Sequence, residues 1–350
     1  MTDRPDDDAC PVPLSRYAQI VLGHGSGGRL SADLLREVFL AGYGDRGPDA
    51  REDQAVLEVE AGRIAVTTDA FVVHPRFFPG GDIGALSIYG TVNDLAVGGA
   101  RPRWIAVAFV VEEGLPVEEL ARIVRSMRDA CERADVTLVT GDTKVVDRGK
   151  GDGVFVTTTG VGVVPAERDL SATHARPGDV ILTSGTLGDH GMAIMSVREG
   201  LALVEPIESD AAPLNGLVEA LLAAVPETRA MRDPTRGGVA SALTEIAAAS
   251  RVGMTVFEDA VPVRDTVRGA CEILGLDPLY VANEGKLLAL VPAERRGAAL
   301  EALRGHPLGA DAAVIGEVTD RRPGTVVLRT AFGTERVLPM LSGEQLPRIC

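Results

Sequence analysis

The hydrophobic positions of this chain follow two periods in turn, which indicates a mixture of strands and helices. Short runs that are apolar throughout, or at every second position, predict strands, and longer stretches with apolar residues three and four apart predict helices. In the first half the predicted strands are AVLEVE (55–60), RIAVTTD (63–69), WIAVAFVV (104–111), VTLVTG (136–141) and GVFVTTTGVGVV (153–164), and the predicted helices cover 30–40, 83–97 and 117–134.

A stretch without either period, PAERDLSATHARPGD (165–179), divides the chain. It contains Pro165, Pro177 and Gly178, which interrupt regular structure. Beyond it the predicted strands are VILTSG (180–185), GMTVF (253–257), LLALV (287–291), AAVIGEV (312–318) and TVVLRT (325–330), and the predicted helices follow TLGDHG (186–191) and cover 214–224, 238–249, 263–274 and 295–303. The second half is therefore built from the same kinds of element as the first.

The length of the chain agrees with two domains. A chain of 350 residues exceeds what one hydrophobic core usually supports, and domains of about 150 residues are expected. The predicted fold class is α+β (mixed α/β), with an N-terminal domain at 17–165 and a C-terminal domain at 178–336. Residues 1–16 are predicted to be a mobile acidic leader, and 337–350, which lack periodicity, a flexible tail that ends in Cys350.

The charge balance excludes several classes of partner. The chain has 50 acidic and 35 basic residues and a formal net charge of −15, which repels a nucleic-acid backbone. Its start has no apolar core of a signal peptide, and no stretch approaches the run of about eighteen apolar residues that spans a membrane. We therefore expect no nucleic acid and no membrane among the partners, and a cytoplasmic location.

The four cysteines, at positions 10, 131, 271 and 350, are far apart and form no C-x-x-C pair. This spacing argues against a structural zinc site and against a disulfide framework. Cys131 and Cys271 lie within helical patterns and are predicted to be small buried hydrophobic residues. By position, only Cys10 and Cys350 could be reactive.

Five aspartates interrupt apolar runs or stand at strand ends and turns. They are Asp53, Asp69, Asp82, Asp94 and Asp142. Carboxylates brought together by folding repel each other by about 4 kcal/mol per pair at about 4 Å and an effective dielectric constant of about 20, so convergence implies a cation. Hard oxygen ligands favour Mg²⁺, which commonly binds together with phosphates, and Lys144 is a suitable phosphate partner. Capping and turn roles for these aspartates are the alternative.

The glycine-rich stretch GHGSGG (23–28) lies between a predicted strand and a predicted helix. It fits the G-x-G-x-x-G pattern, but the second parallel strand ending in an acidic residue about twenty residues later, which a dinucleotide-binding unit requires, does not follow. Phosphate contact through backbone N–H groups at the helix start is one interpretation, and a plain tight turn is the other. The chain has no Walker A motif, no H-x-x-x-H pair and no G-x-S-x-G elbow.

Two junctions in the second half carry polar residues. RDPTRGGV (232–239) contains Asp233 and Arg236, and VANEGK (281–286) contains Asn283 and Glu284. Helix capping by Asp233 or Thr235 and a surface turn at NEGK would account for them. The functional alternative is that the two halves of the chain face each other across a cleft lined by these residues.

Taken together, the motifs resemble those of one family. They are GHGSGG (23–28), EDQAVL (52–57), TTDAFVV (67–73), FFPGGDIG (77–84), TVNDLAVGGA (91–100), VTGDTKVV (139–146), SGTLGDHG (184–191), DPTRGG (233–238), NEGK (283–286) and the terminal PRIC (347–350). They are similar to the HypE family of hydrogenase maturation proteins, in the superfamily of aminoimidazole ribonucleotide synthetase and selenophosphate synthetase. The similarity runs from about Ile20 to Cys350. TTD and TVNDLA mark only the superfamily, whereas a C-terminal PRIC is highly specific.

The resemblance implies a two-domain fold like that of aminoimidazole ribonucleotide synthetase, with a flexible C-terminal tail. It implies a homodimer that pairs through the N-terminal sheets, with ATP and Mg²⁺ bound near the interface. The implied enzyme is an ATP-dependent carbamoyl dehydratase: the carbamoyltransferase HypF loads Cys350, and the carbamoyl group is dehydrated to a thiocyanate. The cyanide then passes to the HypC–HypD complex for the iron of a [NiFe] hydrogenase.

The resemblance also assigns roles to individual residues. The implied metal ligands are Asp53, Asp69, Asp94 and Asp142, and the implied ATP-binding residues are these four with Gly25, Gly27, Asp82, Asn93, Thr143 and Lys144. The implied catalytic residues are Cys350, Lys144 and Glu284. A base must remove protons from the carbamoyl nitrogen, and Glu284 is the first choice for it and His24 the second.

Two other functions stay open from the sequence. The chain could be another ATP-using enzyme of the same superfamily that acts on a diffusible substrate, in which case removing the tail leaves turnover intact. It could also be a non-enzymatic thiol carrier, which would consume no ATP once the thiol is carbamoylated. A carrier has no need of aspartates at positions that the pattern predicts to be buried, which weighs against the carrier.

Overall fold

A computed structural model describes residues 17–25, 29–44, 62–203, 205–341 and 349–350. The first of these residues form a 3₁₀ helix (Leu22–Gly25), α1 (Arg29–Leu34), a π-helical segment (Leu35–Leu40) and α2 (Ala41–Tyr43). The predicted leader at 1–16 and the predicted strand at 55–60 lie outside the described residues.

The first domain is a sheet with helices on one face. Its strands are β1 (Arg63–Phe71), β2 (Phe77–Phe78), β3 (Gly81–Asp82), β4 (Arg101–Glu112), β5 (Thr137–Val146) and β6 (Val154–Val164), and its helices are α3 (Ile83–Val97) and α4 (Val117–Ala134). Four strands form the main sheet in the order β1-β6-β4-β5, antiparallel except for the pair β4–β5, and β2 pairs with β3 separately. Helices α3 and α4 begin and end where the hydrophobic period predicts.

The two faces of the main sheet differ in burial because side chains alternate along each strand. In β1, the side chains of Thr67 and Asp69 face α3 and bond to its residues, whereas Ile64 and Val66 point the other way and are 57% and 61% exposed. We call the side turned away from α3 the outer face. In the single chain it presents large apolar side chains to solvent.

The second domain is a sheet covered on both faces. Its strands are β7 (Asp179–Thr183), β8 (Ala230–Arg232), β9 (Gly253–Phe257), β10 (Leu288–Pro292), β11 (Ala313–Thr319), β12 (Val326–Arg329) and β13 (Glu335–Val337), and its helices are α5 (Asp189–Arg198), α6 (Asn215–Ala224), α7 (Gly238–Ser250), α8 (Asp265–Leu274) and α9 (Arg296–Arg304). The strand order is β13-β12-β9-β11-β7-β10-β8, antiparallel except for β12–β9.

Helices cover this second sheet from both sides. Along β7, Ile181 packs with residues of α7, whereas Val180 and Leu182 pack with residues of α6 and α9. A strand that is buried on both faces must be apolar at every position. This double cover accounts for the unbroken apolar runs that predicted β7 and β10.

Strands of two or three residues escaped the sequence-based prediction. They are β2, β3, β8 and β13, and so few positions are too short to display a period. The cysteines agree with their prediction, since Cys131 and Cys271 are each 1% exposed. No described helix combines the length and the apolar character needed to cross a membrane.

The described parts of the predicted tail are docked on the folded body. The N–H of Leu338 donates to the carbonyl of Val326 at 2.8 Å, and the hydroxyl of Tyr280 donates to the carbonyl of Pro339 at 2.9 Å. The last two residues of the chain, 349–350, lie between the domains. Flexibility of the tail stays a prediction, and the structure shows its docked position.

Candidate functional site

The end of the chain occupies a specific seat between the two domains. The carbonyl oxygen of Ile349 lies 2.8 Å from Nε2 of His190, and a main-chain oxygen of Cys350 accepts a hydrogen bond from the N–H of Val72 at 3.2 Å. The side chain of Ile349 is 2% exposed and belongs to the core of the first domain. We call Val72, His190 and the apolar pocket of Ile349 the tail seat.

The seated Cys350 is half-buried, and charged groups surround its thiol. Burial raises its pKa, the carboxylates of Glu284 and Asp69 raise it further, and Arg236 opposes them, so that the pKa reaches about 12. A thiol with this pKa is protonated at neutral pH and is a poor nucleophile. The seat therefore suits a sulfur that already carries its substrate group better than one that must attack a substrate.

Glu284 is held next to this thiol through its backbone. Its N–H donates to Oδ1 of Asp210 at 3.1 Å, and its carbonyl accepts from Nδ2 of Asn93 at 3.1 Å. The following residue has to be glycine, because a Cβ at Gly285 would lie 1.7 Å from the carbonyl oxygen of Asp210. Lys286 forms an ion pair with Asp210 at 3.1 Å. Because Glu284 is 2% exposed, the interpretation of NEGK as a surface turn is wrong.

The carboxyl group of Glu284 is available for chemistry. Its Oε1 is buried and has no hydrogen-bond partner among the residues that the structure describes. Burial raises its pKa well above the ordinary value, and the charges of Asp233, Asp210, Asp69 and Asp94 act in the same direction. A carboxylate in this environment binds a proton strongly, which is what a proton acceptor needs.

Asp69 and Asp94 form a pair of carboxyls between β1 and α3. Thr91 donates to Asp69 at 3.2 Å, and Thr67 donates to Asp94 at 2.8 Å. Burial raises the pKa of both carboxyls, and the charge of Asp94 raises that of Asp69 further. Burial and the charge of Asp94 also raise the pKa of Asp233, to about 7. A cation bound here would relieve the repulsion among these groups.

An open cleft of about 360 Å³ gives access to Asp94 from outside. Thr67 and Gly98 line it from the first domain, and Ser171 and Arg232 line it from the segment before β7 and from β8. Its volume lies in the range of small-molecule sites, about 300–1,000 Å³. The cleft therefore offers a route for a polyphosphate to the pair of carboxyls.

The predicted set of metal ligands does not assemble within one chain. Among the described residues, no three His, Cys, Asp or Glu side chains are arranged to hold a metal ion. Asp69 of β1 pairs with Thr158 of β6. Asp142 of β5 pairs with Ala108 of β4, and Ala108 pairs with Thr157, the residue next to Thr158 in β6. Successive strand residues point to opposite faces. Asp142 therefore lies on the outer face, and its grouping with Asp69 and Asp94 is wrong for the single chain.

The prediction for Lys144 is corrected for the same reason, because Lys144, two residues further along β5, is exposed on the outer face. Thr143, whose N–H donates to Oδ1 of Asp142 at 2.8 Å, lies between them and faces the other side, beside the buried Phe109 of β4. Its contact with ATP stays a prediction. The predicted contact of Lys144 with phosphates at this site is therefore not formed by a single chain.

Asp82 has a structural role, and its predicted contact with ATP stays a prediction. Its Oδ1 accepts hydrogen bonds from the N–H groups of Gly84 and Ala85, at 2.8 and 3.1 Å, and so caps the N-terminus of α3. An N-terminal aspartate satisfies N–H groups that have no partner within the helix. Capping, the alternative for this residue, is confirmed.

Asn93 joins the two domains, and its role as an ATP ligand stays a prediction. Its Nδ2 donates to the carbonyls of Ala212 and Glu284, both at 3.1 Å, and its Oδ1 accepts from the N–H of Leu214 at 2.8 Å. Both amide hydrogens are thus used, and the side chain is 1% exposed. Asn93 fixes the position of Glu284 relative to α3.

The remaining predicted residues belong to the 3₁₀ helix near the start of the described chain or lie outside the described part. Gly25 ends the 3₁₀ helix, and Gly27 and Asp53 are outside the described residues. Nδ1 of His24 accepts from the N–H of Val21 at 3.1 Å, and burial lowers the pKa of its ring. The groups whose charges act on the thiol are Glu284, Arg236 and Asp69, so of the two predicted bases only Glu284 is among them.

Three residues of the site were missed from the sequence. His190 lies within SGTLGDHG, where its spacing gave no sign of a role, and Ser209 and Asp210 lie in the aperiodic stretch ESDAAP (208–213). Asp233 had capping as its alternative, which is wrong because the N-cap of α7 is Gly237, without a side-chain cap. The signal that distinguishes these residues, burial of polar groups, exists only in the folded chain.

Comparison with known proteins places this site in a family. Residues 51–164 match the family model of the AIR synthase related protein, N-terminal domain, and residues 176–329 match that of its C-terminal domain. The chain is 56% identical over 335 residues to carbamoyl dehydratase HypE of Azotobacter vinelandii, covering 96% of this chain and 98% of that one.

Solved structures agree with these matches. A crystal structure of the hydrogenase maturation protein HypE in complex with ATP is 49% identical, with a TM-score of 0.91 over 94% of this chain and 99% of that one. The HypE–HypF complex contains a chain that is 45% identical, with a TM-score of 0.78 over 88% of this chain and 99% of that one. The chain therefore belongs to the HypE family of carbamoyl dehydratases, within the AIR synthase-related proteins.

Proposed function

We propose that this chain dehydrates an S-carbamoyl group on its own Cys350 to a thiocyanate at the expense of ATP, and so supplies cyanide ligands for the iron of a [NiFe] hydrogenase. One observation carries the proposal. The last residue of the chain is seated beside a buried carboxyl, Glu284, which lacks a hydrogen-bond partner among the described residues. The site thus receives a terminal sulfur that the same chain provides.

The chemistry requires an oxygen to leave as phosphate. The carbamoyl oxygen of R–S–C(=O)–NH₂ attacks the γ-phosphorus of ATP, ADP leaves, and the nitrogen gives up one proton. The C–O bond then breaks, phosphate leaves with its electron pair, and loss of the second nitrogen proton gives R–S–C≡N. Water must be excluded, because it would hydrolyse the phosphorylated intermediate. The burial of Ile349 and the partial burial of Cys350 support this requirement.

Glu284 is the proposed acceptor of the nitrogen protons. Its raised pKa makes the carboxylate a strong base. A cation bound near Asp69 and Asp94 would oppose this rise by offsetting the charges of those two carboxylates. Glu284 is thus ready to accept a proton when the nucleotide site is filled.

The nucleotide is proposed to enter through the cleft at Asp94. The relative whose structure has been solved with ATP has the same fold. Carboxylate and hydroxyl oxygens of Asp69, Asp94 and Thr67 are hard donors of the kind that Mg²⁺ prefers, and they are the residues that would hold it here. When bound, Mg²⁺ neutralises phosphate charge during the transfer.

A homodimer is proposed to form through the outer faces of the two N-terminal sheets. The exposed Ile64 and Val66 support this, because pairing the faces would remove their apolar surface from water. Asp142 and Lys144 lie on the same face, so a dimer would bring them to the interface, where the family resemblance implies that ATP binds. This is how the two residues could contribute to catalysis although one chain keeps them apart from Asp69.

The proposed partners are those that the reaction requires. A donor must load the thiol, and HypF is proposed for this step because a HypE relative has been solved in complex with HypF. An acceptor must take the cyanide, and the HypC–HypD complex is proposed for it. The described cysteines, Cys131, Cys271 and Cys350, form no disulfide with one another, which agrees with a cytoplasmic location.

Mass spectrometry of the C-terminal peptide tests this function. The protein is carbamoylated with HypF, incubated with and without Mg-ATP, and digested with a protease that cleaves after Glu344. The peptide 345–350 is expected to lose the mass of one water only when ATP is present. Glu284→Gln should accept the carbamoyl group at an unchanged rate and dehydrate it at least about a hundredfold more slowly.

Three results would contradict the proposal. Absence of both dehydration and ATP consumption in the carbamoylated protein would favour a thiol carrier. Carbamoylation of Cys350→Ala would remove the terminal sulfur as acceptor. Unchanged ATP turnover on a diffusible substrate after deletion of the tail would favour another reaction of the superfamily.

A further inference from the structure

The anchor of the chain end is a pair of side chains that the proposed reaction itself does not use. Nδ1 of His190 lies 2.7 Å from Oγ of Ser209, and Nε2 lies 2.8 Å from the carbonyl oxygen of Ile349. His190 is fully buried, and the ring of Phe78 packs edge-on against it with centroids 5.6 Å apart. Hydrogen bonds at both ring nitrogens and the contact with Phe78 therefore hold the imidazole in place.

The partners of this imidazole determine its tautomer. A carbonyl oxygen can only accept, so the hydrogen must be on Nε2, and Nδ1 then accepts the hydroxyl hydrogen of Ser209. Burial lowers the pKa of His190, which favours this neutral ring. In histidine, the hydrogen bond made by one ring nitrogen commonly decides whether the other nitrogen carries the hydrogen. Ser209 therefore aims the donor of His190 at the tail.

The segment 209–212 connects this anchor to the proposed base. The N–H of Ser209 donates to the carbonyl of Pro79 at 2.8 Å, Asp210 accepts from the N–H of Glu284, and the carbonyl of Ala212 accepts from Asn93. One short stretch of backbone thus holds both the group that anchors the chain end and the group that fixes Glu284. It relates the position of the sulfur to that of the carboxyl.

From this geometry we propose that His190 and Ser209 form a latch for the C-terminal tail, which keeps the sulfur of Cys350 beside Glu284 and out of reach of reagents and partners. The latch deepens the proposed function, on which its catalytic consequence rests. His190 is a positioning residue: it holds the Ile349 carbonyl and does not touch the reacting group. Opening the latch releases the thiol for loading, and closing it aligns the loaded group for dehydration.

The two roles predict opposite effects of the same substitution. His190→Leu removes the hydrogen-bond donor and introduces an apolar side chain of similar size. The docked fraction of the tail should fall by about tenfold, since one buried hydrogen bond is lost and the carbonyl is left without its donor. Exposure and loading of the thiol should therefore become faster, while dehydration of the loaded group becomes slower.

Alkylation of Cys350 by iodoacetamide measures the latch without involving ATP. The full-length protein is sampled over time, and the peptide 345–350 is quantified by mass spectrometry, which separates this thiol from the other three. His190→Leu is expected to react about tenfold faster than the original protein, and Ser209→Ala, which retains the imidazole but loses its orienting partner, a few-fold faster. His190→Gln, whose amide can donate from a similar position, should restore most of the protection.

A matched control comes from a second histidine that bonds to a backbone carbonyl. His174 lies in the segment between the domains, with Nδ1 3.2 Å from the carbonyl of Asp169, and His174→Leu should leave the alkylation rate unchanged. Equal alkylation rates in the original protein, His190→Leu and Ser209→Ala, with unchanged melting temperatures, would overturn the latch. If His190→Leu does not fold, Ser209→Ala alone decides by the same criterion.

The two proposals can fail separately. Fast alkylation of the latch variants, together with absence of any ATP-dependent loss of water from the original protein, would retain the latch and reject the dehydration. Dehydration that proceeds in His190→Leu at the original rate, despite a tenfold faster alkylation, would reject the latch as a positioning device. Binding of ATP should be the same in all these variants.

Discussion

Replacing Asn93 by leucine tests whether this residue joins the domains or binds the nucleotide. The leucine side chain has a similar volume but no hydrogen-bonding group. It would leave the carbonyls of Ala212 and Glu284 and the N–H of Leu214 without their partner, and all three bonds lie inside the interface between α3 and the second domain. The perturbation is therefore confined to one set of contacts.

The magnitude follows from those three bonds. Each buried group left unpaired costs about 1–3 kcal/mol, and the apolar replacement recovers part of the loss, so Asn93→Leu should lower the free energy of unfolding by about 3 kcal/mol. Ser87→Ala is the control on the same helix, because Ser87 is buried and makes one bond within α3, to the carbonyl of Gly84 at 2.9 Å. It should lower the unfolding free energy by about 1 kcal/mol.

Urea unfolding and calorimetric titration with ATP provide the two readouts. The domain-joining role predicts a large loss of stability in Asn93→Leu and an ATP affinity within about threefold of the original at a temperature where the variant is folded. An unfolding free energy equal to that of the original protein, combined with a tenfold weaker ATP affinity, would refute the reasoning. Asn93 would then be a ligand of the nucleotide.

Two further predictions concern the carboxyl cluster and the outer face. Asp233→Asn should stabilise the protein, because the pKa of Asp233 rises from 3.8 to about 7 on folding and the neutral amide avoids the cost of burying this carboxyl. The gain in the free energy of unfolding should grow between about pH 4 and 7 and then stay constant at about 4 kcal/mol at most. Thermal melts that show the same gain at pH 5 and pH 8 would argue against the pKa shift. Val66→Glu should convert dimers to monomers in sedimentation experiments, whereas Ile273→Glu, at a residue that is 69% exposed on α8, should not; a dimer that survives Val66→Glu would place the interface elsewhere.

The long elements were predictable because their sequence signals are local. Helix α4 combines a helical period with a C-cap at Asp135, and α3 begins at a capping aspartate. Both therefore have the predicted bounds. The short strand pairs were not predictable, because β8 and β13 are defined only by the strands beside them. Local periodicity cannot report a pairing that depends on distant residues.

The site was predictable in part. Cys350 and Glu284 were both expected, from the chain terminus and from a polar junction. Asp142 was misplaced because the face on which a strand residue lies depends on register, and a shift of one position reverses it. The bonds of Asn93 between the domains were not predicted, because its partners are 119, 191 and 121 residues away in the sequence. Hydrogen bonds between residues so far apart in the sequence can be seen only in the folded chain.

His190 shows the same limit most clearly. Its carbonyl partner at Ile349 is 159 residues away, and a single histidine in a glycine-rich turn has no spacing that predicts such a contact. Its function follows from three facts that only the structure provides: complete burial, a serine on one nitrogen and the chain end on the other.

The central claim is that ATP is consumed to make a nitrile on the sulfur of the chain's own last residue. A single-turnover reaction of the carbamoylated protein with Mg-ATP, followed by infrared detection of the nitrile and quantification of ADP, measures this directly. The account predicts that nitrile and ADP appear together in equal amounts, and that neither forms in Cys350→Ala. Formation of ADP without a nitrile, or of a nitrile in the absence of ATP, would contradict it.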